Sequence, residues 1–436
     1  MKSNYLNRID KRILKVIRDI GRAADRRGLR AYIVGGIVRD IILGRKNLDI
    51  DIVTEGPAIP FARSVAKAAR AKITVYPRFS TATLQWPFGL RLDFVAARQE
   101  FYPHPGALPQ VRPGTLRDDL FRRDFTINAM AICLNQDRRG RLVDEFAGLS
   151  DLREKKIRVL HERSFIDDPT RILRAVRFEQ RLRFHIEPWT LGLLKQALRP
   201  VGFLREEKVF DNVKPPRYFT EFKKMLAEQQ PDRHLARLQE LGALPVIDAT
   251  PGTDFRLLTQ VQQRLRRISK DITCNRWLIH LMAITETMRG AKLQAFLRKF
   301  PFRKEERESI LQAARSKNIL RKLAAPGLSR IQVYGILRPL HQDAVVYLQV
   351  RTLQKKVTER IGRYLHHDAG MQVDIDGEDL KRLGVSPGKK IGAILQKVLC
   401  MKIDGRVKDR EQQLAAAAAL VGKARRPEKG SGDGPY

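Results

Sequence analysis

The sequence predicts a small mixed α/β head followed by an elongated all-α neck, body and tail. Three observations carry that expectation. Short strand and helix signals alternate between Arg30 and Ala96, while from Pro169 onward apolar residues recur at helical spacing and strand signals almost vanish. A chain of 436 residues is long for one core, so several domains or subdomains are expected. Breaks near Lys214-Pro-Pro216, Thr250-Pro-Gly252, Pro326-Gly327 and Ser386-Pro-Gly388 divide the helical part. The expected segments are 1–150 for an N-terminal helix and the head, 151–225 for the neck, 226–365 for the body and 366–424 for the tail. Residues 425–436 are expected to be disordered, because Pro427-Glu-Lys-Gly-Ser-Gly-Asp-Gly-Pro435 is too polar to bury anything.

Each element of the head has a local reason. Leu6, Ile9, Ile13, Leu14, Ile17 and Ile20 recur at helical spacing and predict an amphipathic first helix that fades by Gly28. Arg30–Val34 reads as a strand and Gly36–Leu43 as a helix. A strand through Asp49–Val53 follows, then a helix over 58–70 and strands at Ile73–Tyr76, Thr81–Trp86 and Leu90–Ala96. Glu100–Gly114 is rich in Pro and Gly without periodicity and reads as a loop. Thr115 caps a short helix, with Asp118 completing a capping box.

Composition narrows the partners. The chain carries 84 Lys+Arg against 48 Asp+Glu, a net charge of +36, and so basic a surface calls for a polyanion. Nucleic acid is the first candidate. An acidic membrane is the weaker one, because no strongly apolar helix accompanies the charge and no apolar run is long enough to cross a bilayer. Cys133, Cys274 and Cys400 are too few and too far apart for a disulfide framework or a zinc pattern. Met1-Lys-Ser-Asn-Tyr-Leu6 leads into charged helix rather than a secretion signal, so a cytoplasmic location is expected, with no obligate protein partner.

The chemistry concentrates in four places. Asp49 and Asp51, in Asp49-Ile-Asp-Ile-Val53, alternate with strand formers and so share one face of a strand, roughly 6.6 Å apart along the chain. Such a pair repels itself unless cations neutralise it, and two Mg²⁺ ions roughly 3.5–4 Å apart would do so while clamping a phosphoryl displacement. Just upstream, Tyr32-Ile-Val-Gly-Gly-Ile-Val-Arg-Asp40 is a strand, a glycine turn and a helix start, a combination that lets backbone approach a phosphate. Arg39 could reach a triphosphate, and Asp40 either orients it or is a first-turn acid favoured by the helix dipole. Asp93 is either a third carboxylate for activating a hydroxyl or a strand-edge surface acid. In Arg122-Arg-Asp-Phe-Thr-Ile-Asn128, guanidiniums suit phosphates and a carboxylate suits ribose hydroxyls.

Asp167-Asp-Pro-Thr-Arg-Ile-Leu-Arg-Ala-Val-Arg177 is the fourth. Asp168 is a suitable N-cap and Pro169 a suitable first helical residue. Arg171, Arg174, Arg177 and Arg181 fall roughly on one face, where an anionic ligand would relieve their repulsion. Asp168 accepts and Arg171 donates, matching the amine and ring nitrogen on the pairing edges of cytosine and adenine, and mismatching uracil and guanine. The expectation is selection of CTP and ATP by the protein itself.

These residues resemble the class II tRNA nucleotidyltransferases and bacterial poly(A) polymerases, within the DNA polymerase beta nucleotidyltransferase superfamily. The resemblance is dense over residues 30–225 and returns in Asp376-Gly-Glu-Asp-Leu-Lys-Arg-Leu-Gly384. It implies a head of the DNA polymerase beta nucleotidyltransferase type and template-independent addition of the 3′-terminal CCA, or only its A, to tRNA from CTP and ATP. It implies Mg²⁺ on Asp49 and Asp51, and nucleotide contacts from Gly35, Gly36, Arg39, Arg123, Asp124, Asp168 and Arg171; the residues themselves add Asp93 as a further expected catalytic acid and Asn128, Arg174 and Arg177 as further expected nucleotide contacts. Pro216 stands where relatives usually have Glu, which leaves the role of Arg217 open. The loop Arg98–Pro109 resembles loops of members that add the terminal A. A poly(A) polymerase and a non-catalytic RNA-binding protein are the alternatives. His366-His-Asp368 looks like a metal phosphohydrolase pair, yet no full ligand set accompanies it.

Overall fold

The computed structural model describes residues 4–45, 49–77, 80–104, 106–198, 215–247, 255–268 and 271–425. The segment 425–436 expected to be disordered falls, apart from Arg425, outside the described residues, as do Lys214 and Thr250-Pro-Gly252 of the expected breaks. Two compact units emerge: residues 1–228 with 233–251, and residues 229–232 with 252–436.

The first unit is built on a seven-stranded sheet. Its strands are β1 (Arg30–Val34), β2 (Ile50–Glu55), β3 (Lys72–Tyr76), β4 (Thr81–Gln85), β5 (Arg91–Ala96), β8 (Ala131–Cys133) and β9 (Leu142–Val143), in the order β3-β4-β5-β2-β1-β8-β9. All neighbours are antiparallel except β2 and β5. Period-two alternation sorts the side chains. Ile50, Ile52, Leu92, Phe94 and Leu84 are buried, and Phe94 meets Phe61 of α3 (Ala58–Ala69) with ring centroids 5.9 Å apart. Val53 on the other face packs with Leu116 and Leu120 of α4 (Leu116–Phe121). The capping box starting α4 is present: Thr115 Oγ1 accepts from Asp118 N, and Asp118 Oδ2 accepts from Thr115 N.

Three local expectations are corrected. The first helix is split into a 3₁₀ turn at Tyr5–Arg8 and α1 (Lys11–Asp25), because Asp10 accepts from Arg12 N and starts a new helix there. The stretch 100–114 is a hairpin, not a plain loop: β6 (Arg98–Phe101) pairs antiparallel with β7 (Gln110–Pro113). β6 is half-buried and β7 is exposed throughout, so neither carries the hydrophobic alternation by which a sequence announces a strand. Finally, α7 runs Thr170–Leu182 with Pro169 at its cap, and Asp168 sits one residue earlier than expected. Its Oδ1 still accepts from Thr170 N at 3.1 Å and Thr170 Oγ1 at 2.6 Å.

The second unit is helical. One core gathers Leu323, Val333, Leu337, Leu348, Ile361 and Ile403; another, nearer the C-terminus, gathers Ile375, Leu380, Val398, Val407 and Ala417. Some of its arginines are spent on structure: Arg264 donates to Val350 O and Arg266 to Gln229 O. The His366-His-Asp368 segment forms a π-helical turn whose buried Asp368 is held by Arg330, while both histidines are exposed. Among the described residues no helix is long and apolar enough to cross a membrane.

Candidate active site

The strand register assembles the site. Antiparallel pairing places Val34 opposite Asp51, so the chain leaving β1 makes its glycine turn beside the acidic end of β2. Parallel pairing places Asp93 opposite Asp51, and opposed residues project to the same side of a sheet. Asp49 lies exposed just before β2, Asp51 is half-buried, and the intervening Ile50 is buried, so the two acids share the face opposite Ile50 and Ile52. Asp93 Oδ1 accepts from Thr83 Oγ1 at 2.5 Å, and Arg91 lies 3.4 Å from Oδ2.

Crowding marks Asp51 electrically. Burial, together with the charges of Asp49, Asp93 and Asp119, pushes its carboxyl up to about 6 despite the opposing pull of Arg123. Gly35 takes φ of +84°, a left-handed conformation that favours glycine, and a Cβ there would lie 2.6 Å from Arg123 Nη1 and 4.0 Å from Asp51 Oδ2. Arg123 is thus laid against the turn, with Nη2 on Asp119 at 2.8 Å and a buried Nε lacking a hydrogen-bond partner among the described residues.

This donor set fits a hard divalent cation. Among the described residues no group of three or more His, Cys, Asp or Glu forms a complete metal cage. Two carboxylates with room for phosphate oxygens and water are what Mg²⁺ ordinarily takes, whereas a dedicated protein cage is not.

A hydrogen-bonded chain runs from the glycine turn into the neck. Arg39 is 3% exposed, with Nε on Asp40 at 2.9 Å and Nη1 on Asn128 Oδ1 at 2.6 Å. Asn128 donates to Asp124 Oδ1 at 2.9 Å, and Asp124 Oδ2 accepts from Arg174 Nε at 2.8 Å. Arg174 Nη1 continues to Glu221 at 2.9 Å. Burial opposes ionisation of Asp124, but Arg174 and Asn128 override it and hold the carboxyl well below the usual range.

Several expectations change accordingly. Arg39 does not reach outward for a triphosphate; its guanidinium donates inward to Asp40 and Asn128, because burial of a guanidinium demands acceptors. Asp40 orients it rather than acting as a first-turn surface acid, the Nε bond being buried on both sides. The arginine stripe on α7 is not a bare face awaiting an anion. Arg174 pairs with Asp124 and Glu221, Arg177 lies 3.4 Å from Glu221, and Arg181 lies 4.0 Å from Glu228, so protein carboxylates relieve the repulsion. Asp168 and Arg171 do not face each other as an isolated pair. Arg171 donates to Ser164 Oγ at 2.6 Å and to Arg122 O at 2.8 Å. Asp168 is 3.0 Å from Arg217 Nη2, whose Nη1 points to the carbonyls of Gly106 and Ala107 in the hairpin tip. Arg217 therefore joins the Asp168 carboxylate to the loop.

Residues that sequence reasoning missed are acids. Asp119 is fully buried and bridges Arg122 and Arg123, and its only sequence signal is the i,i+3 and i,i+4 spacing to them. Glu221 and Glu228 lie about 45 residues beyond their arginine partners, a separation no local pattern reveals.

With this geometry in hand, comparison with known proteins is specific. Residues 31–158 match the poly A polymerase head domain. An A-adding tRNA nucleotidyltransferase of Geobacter sulfurreducens is 34% identical over 94% of this chain, although the chain spans only 47% of that relative's length. A CC-adding tRNA nucleotidyltransferase of Deinococcus radiodurans is 31% identical over 89% of both chains. The solved structure of a CCA-adding enzyme in its apo form II superposes with a TM-score of 0.73 at 33% identity, covering 96% of this chain and 98% of that one. A shared head domain, a relative matched along nearly its whole length and a structure matched end to end agree, and the chain belongs to the tRNA nucleotidyltransferase family.

Proposed function

We propose that the protein adds nucleotides to the 3′ end of tRNA without a nucleic-acid template, completing CCA or adding its terminal A, with release of pyrophosphate. The observation that carries this reading is the carboxylate ledge of Asp49, Asp51 and Asp93 beside a glycine turn that bears Arg123. Support for tRNA as acceptor comes from the net charge of +36 and from the family.

Asp49 and Asp51 would hold Mg²⁺, which when bound supplies charge neutralisation at the phosphates of the incoming nucleotide. Arg123, pinned by Asp119, offers its remaining donors to the same phosphates. Asp93, fixed through Oδ1 by Thr83 and flanked by the exposed Arg91, would take the proton of the attacking ribose hydroxyl. Asp124 and Asn128 brace the turn from below through Arg39, while Arg174 and Arg177 tie that brace to the neck. Asp168, oriented by Arg217, reads the base edge, while Arg171 is anchored on Ser164 and the Arg122 carbonyl. A cytoplasmic location follows from the substrate proposed.

The test is end sequencing of tRNAs lacking one, two or three terminal residues after incubation with each nucleotide separately. A single AMP on tRNA ending in CC is the expected product. CMP addition without AMP addition would contradict the reading of the Arg98–Pro109 loop, processive AMP addition would indicate a poly(A) polymerase, and no metal-dependent pyrophosphate release would leave only RNA binding.

A further inference from the structure

A second recess opens on the other side of the paired arginines. It has a volume of about 520 Å³ and is walled by β6, by the end of α4 and by the segment 161–171. Its lining includes Phe101, Tyr102, Phe121, His161, Arg122 and Arg171. Phe101 and Phe121 are each 46% exposed, an unusual use of large apolar rings in a chain that buries Phe61, Phe94, Phe125 and Phe165 almost completely. Phe121 is held, not loose: its ring lies 5.3 Å from that of His161 and 5.8 Å from that of Phe146. Burial and the neighbouring Arg171 and Arg163 push His161 down to about 4, so it is a neutral ring near pH 7.

The charge of this recess excludes a phosphate. Four carboxylates, Glu100, Asp118, Glu162 and Asp167, outnumber three guanidiniums, Arg122, Arg163 and Arg171, in a protein that is otherwise strongly basic. What suits half-exposed aromatic faces edged by acceptors and donors is a neutral, flat, polar-edged ring. Its position gives that ring an owner. Asp119 grips Arg122 through Oδ1 at 2.7 Å and Arg123 through Oδ2 at 2.8 Å. Arg122 lines the recess while Arg123 lies against Gly35 beside Asp51, so the recess and the carboxylate ledge are separated by one acid and its two arginines. Stacking tolerates any base, which an acceptor end that changes with each addition requires and an incoming nucleotide that must be discriminated does not.

We propose that the recess between Phe101, Phe121 and His161 is a stacking subsite for the unpaired 3′-terminal nucleobase of the acceptor RNA. It rests on the function proposed above, and it adds a place for the acceptor's base. The test uses an RNA acceptor whose 3′-terminal base is a fluorescent purine analogue that dims when stacked, bound to the Asp51→Asn variant so that no transfer occurs. Binding should quench the signal; adding Phe121→Ala should abolish the quench, and Phe121→Trp should preserve it. In the otherwise wild-type enzyme, Phe121→Ala should raise the KM for the acceptor about tenfold, the loss of one aromatic–base stack, and leave the KM for ATP within about twofold. Quenching that is indifferent to Phe121 overturns the subsite. So does an effect confined to the same analogue supplied as a nucleoside triphosphate. An enzyme that quenches the acceptor but transfers nothing in its wild-type form refutes the proposed function and leaves the subsite standing.

Discussion

Replacing Asp51 by Asn should make the protein inactive and, above pH 6, more stable. The carboxyl moves from its ordinary 3.8 to about 6 in the folded protein, a preference for the neutral form equivalent to about 3 kcal/mol. The folded state therefore holds this proton more tightly than the unfolded chain does. Below about pH 4 the group is protonated in both states and contributes nothing to the difference. Between about pH 4 and 6 the unfolded chain ionises first, and wild-type stability erodes; above about 6 the full deficit is present. Asn carries no charge, so the variant should escape this loss and gain up to about 3 kcal/mol at pH 7.5 in metal-free urea denaturation, with the gap closing toward pH 4. Added Mg²⁺ should restabilise the wild type at pH 7.5 and leave the variant nearly unchanged, since ligand binding to the native state raises stability by mass action. A variant no more stable than wild type at pH 7.5, or a gap independent of pH, would refute the account of a charge-crowded ledge.

Three further outcomes follow from the same geometry. Arg174→Leu strands Asp124 in a buried setting, leaves Glu221 with only Arg177 and Lys224 beside it, and should cost about 3–5 kcal/mol by urea denaturation; adding Asp124→Asn should recover part of that, and strict additivity would show the pair to be uncoupled. Gly35→Ala puts a methyl 2.6 Å from Arg123 Nη1 at a left-handed φ, so kcat should fall at least about tenfold for about 1–2 kcal/mol of strain, checked by steady-state AMP incorporation. Asp168→Ala should relax discrimination of ATP against GTP in incorporation assays, and Arg217→Ala should do so more weakly while making the hairpin tip at Gly106–Ala107 more sensitive to proteolysis; base selectivity untouched by Asp168→Ala would sink the reading of that carboxylate.

What could be read from the residues alone, and what could not, divides along the range of the interactions. Strand alternation around Asp51, the glycine turn at Gly35 and the capping box at Thr115 are each set within a few residues, so their periodicity and spacing announce them. The parallel pairing that brings Asp93 beside Asp51, the burial of Arg39 beneath the turn and the carboxylates that neutralise the α7 arginines each join residues tens of positions apart. The α7 stripe looks like a basic face because helical spacing records which side chains are neighbours on one helix, not what the next helix brings against them. Arg217 is the sharpest instance: one guanidinium reaches Asp168 and the carbonyls of a hairpin more than a hundred residues away, a link created only when the chain closes on itself. Local chemistry chose the groups; long-range packing, where burying a charge demands a partner, decided which of them face outward to act and which are held inside.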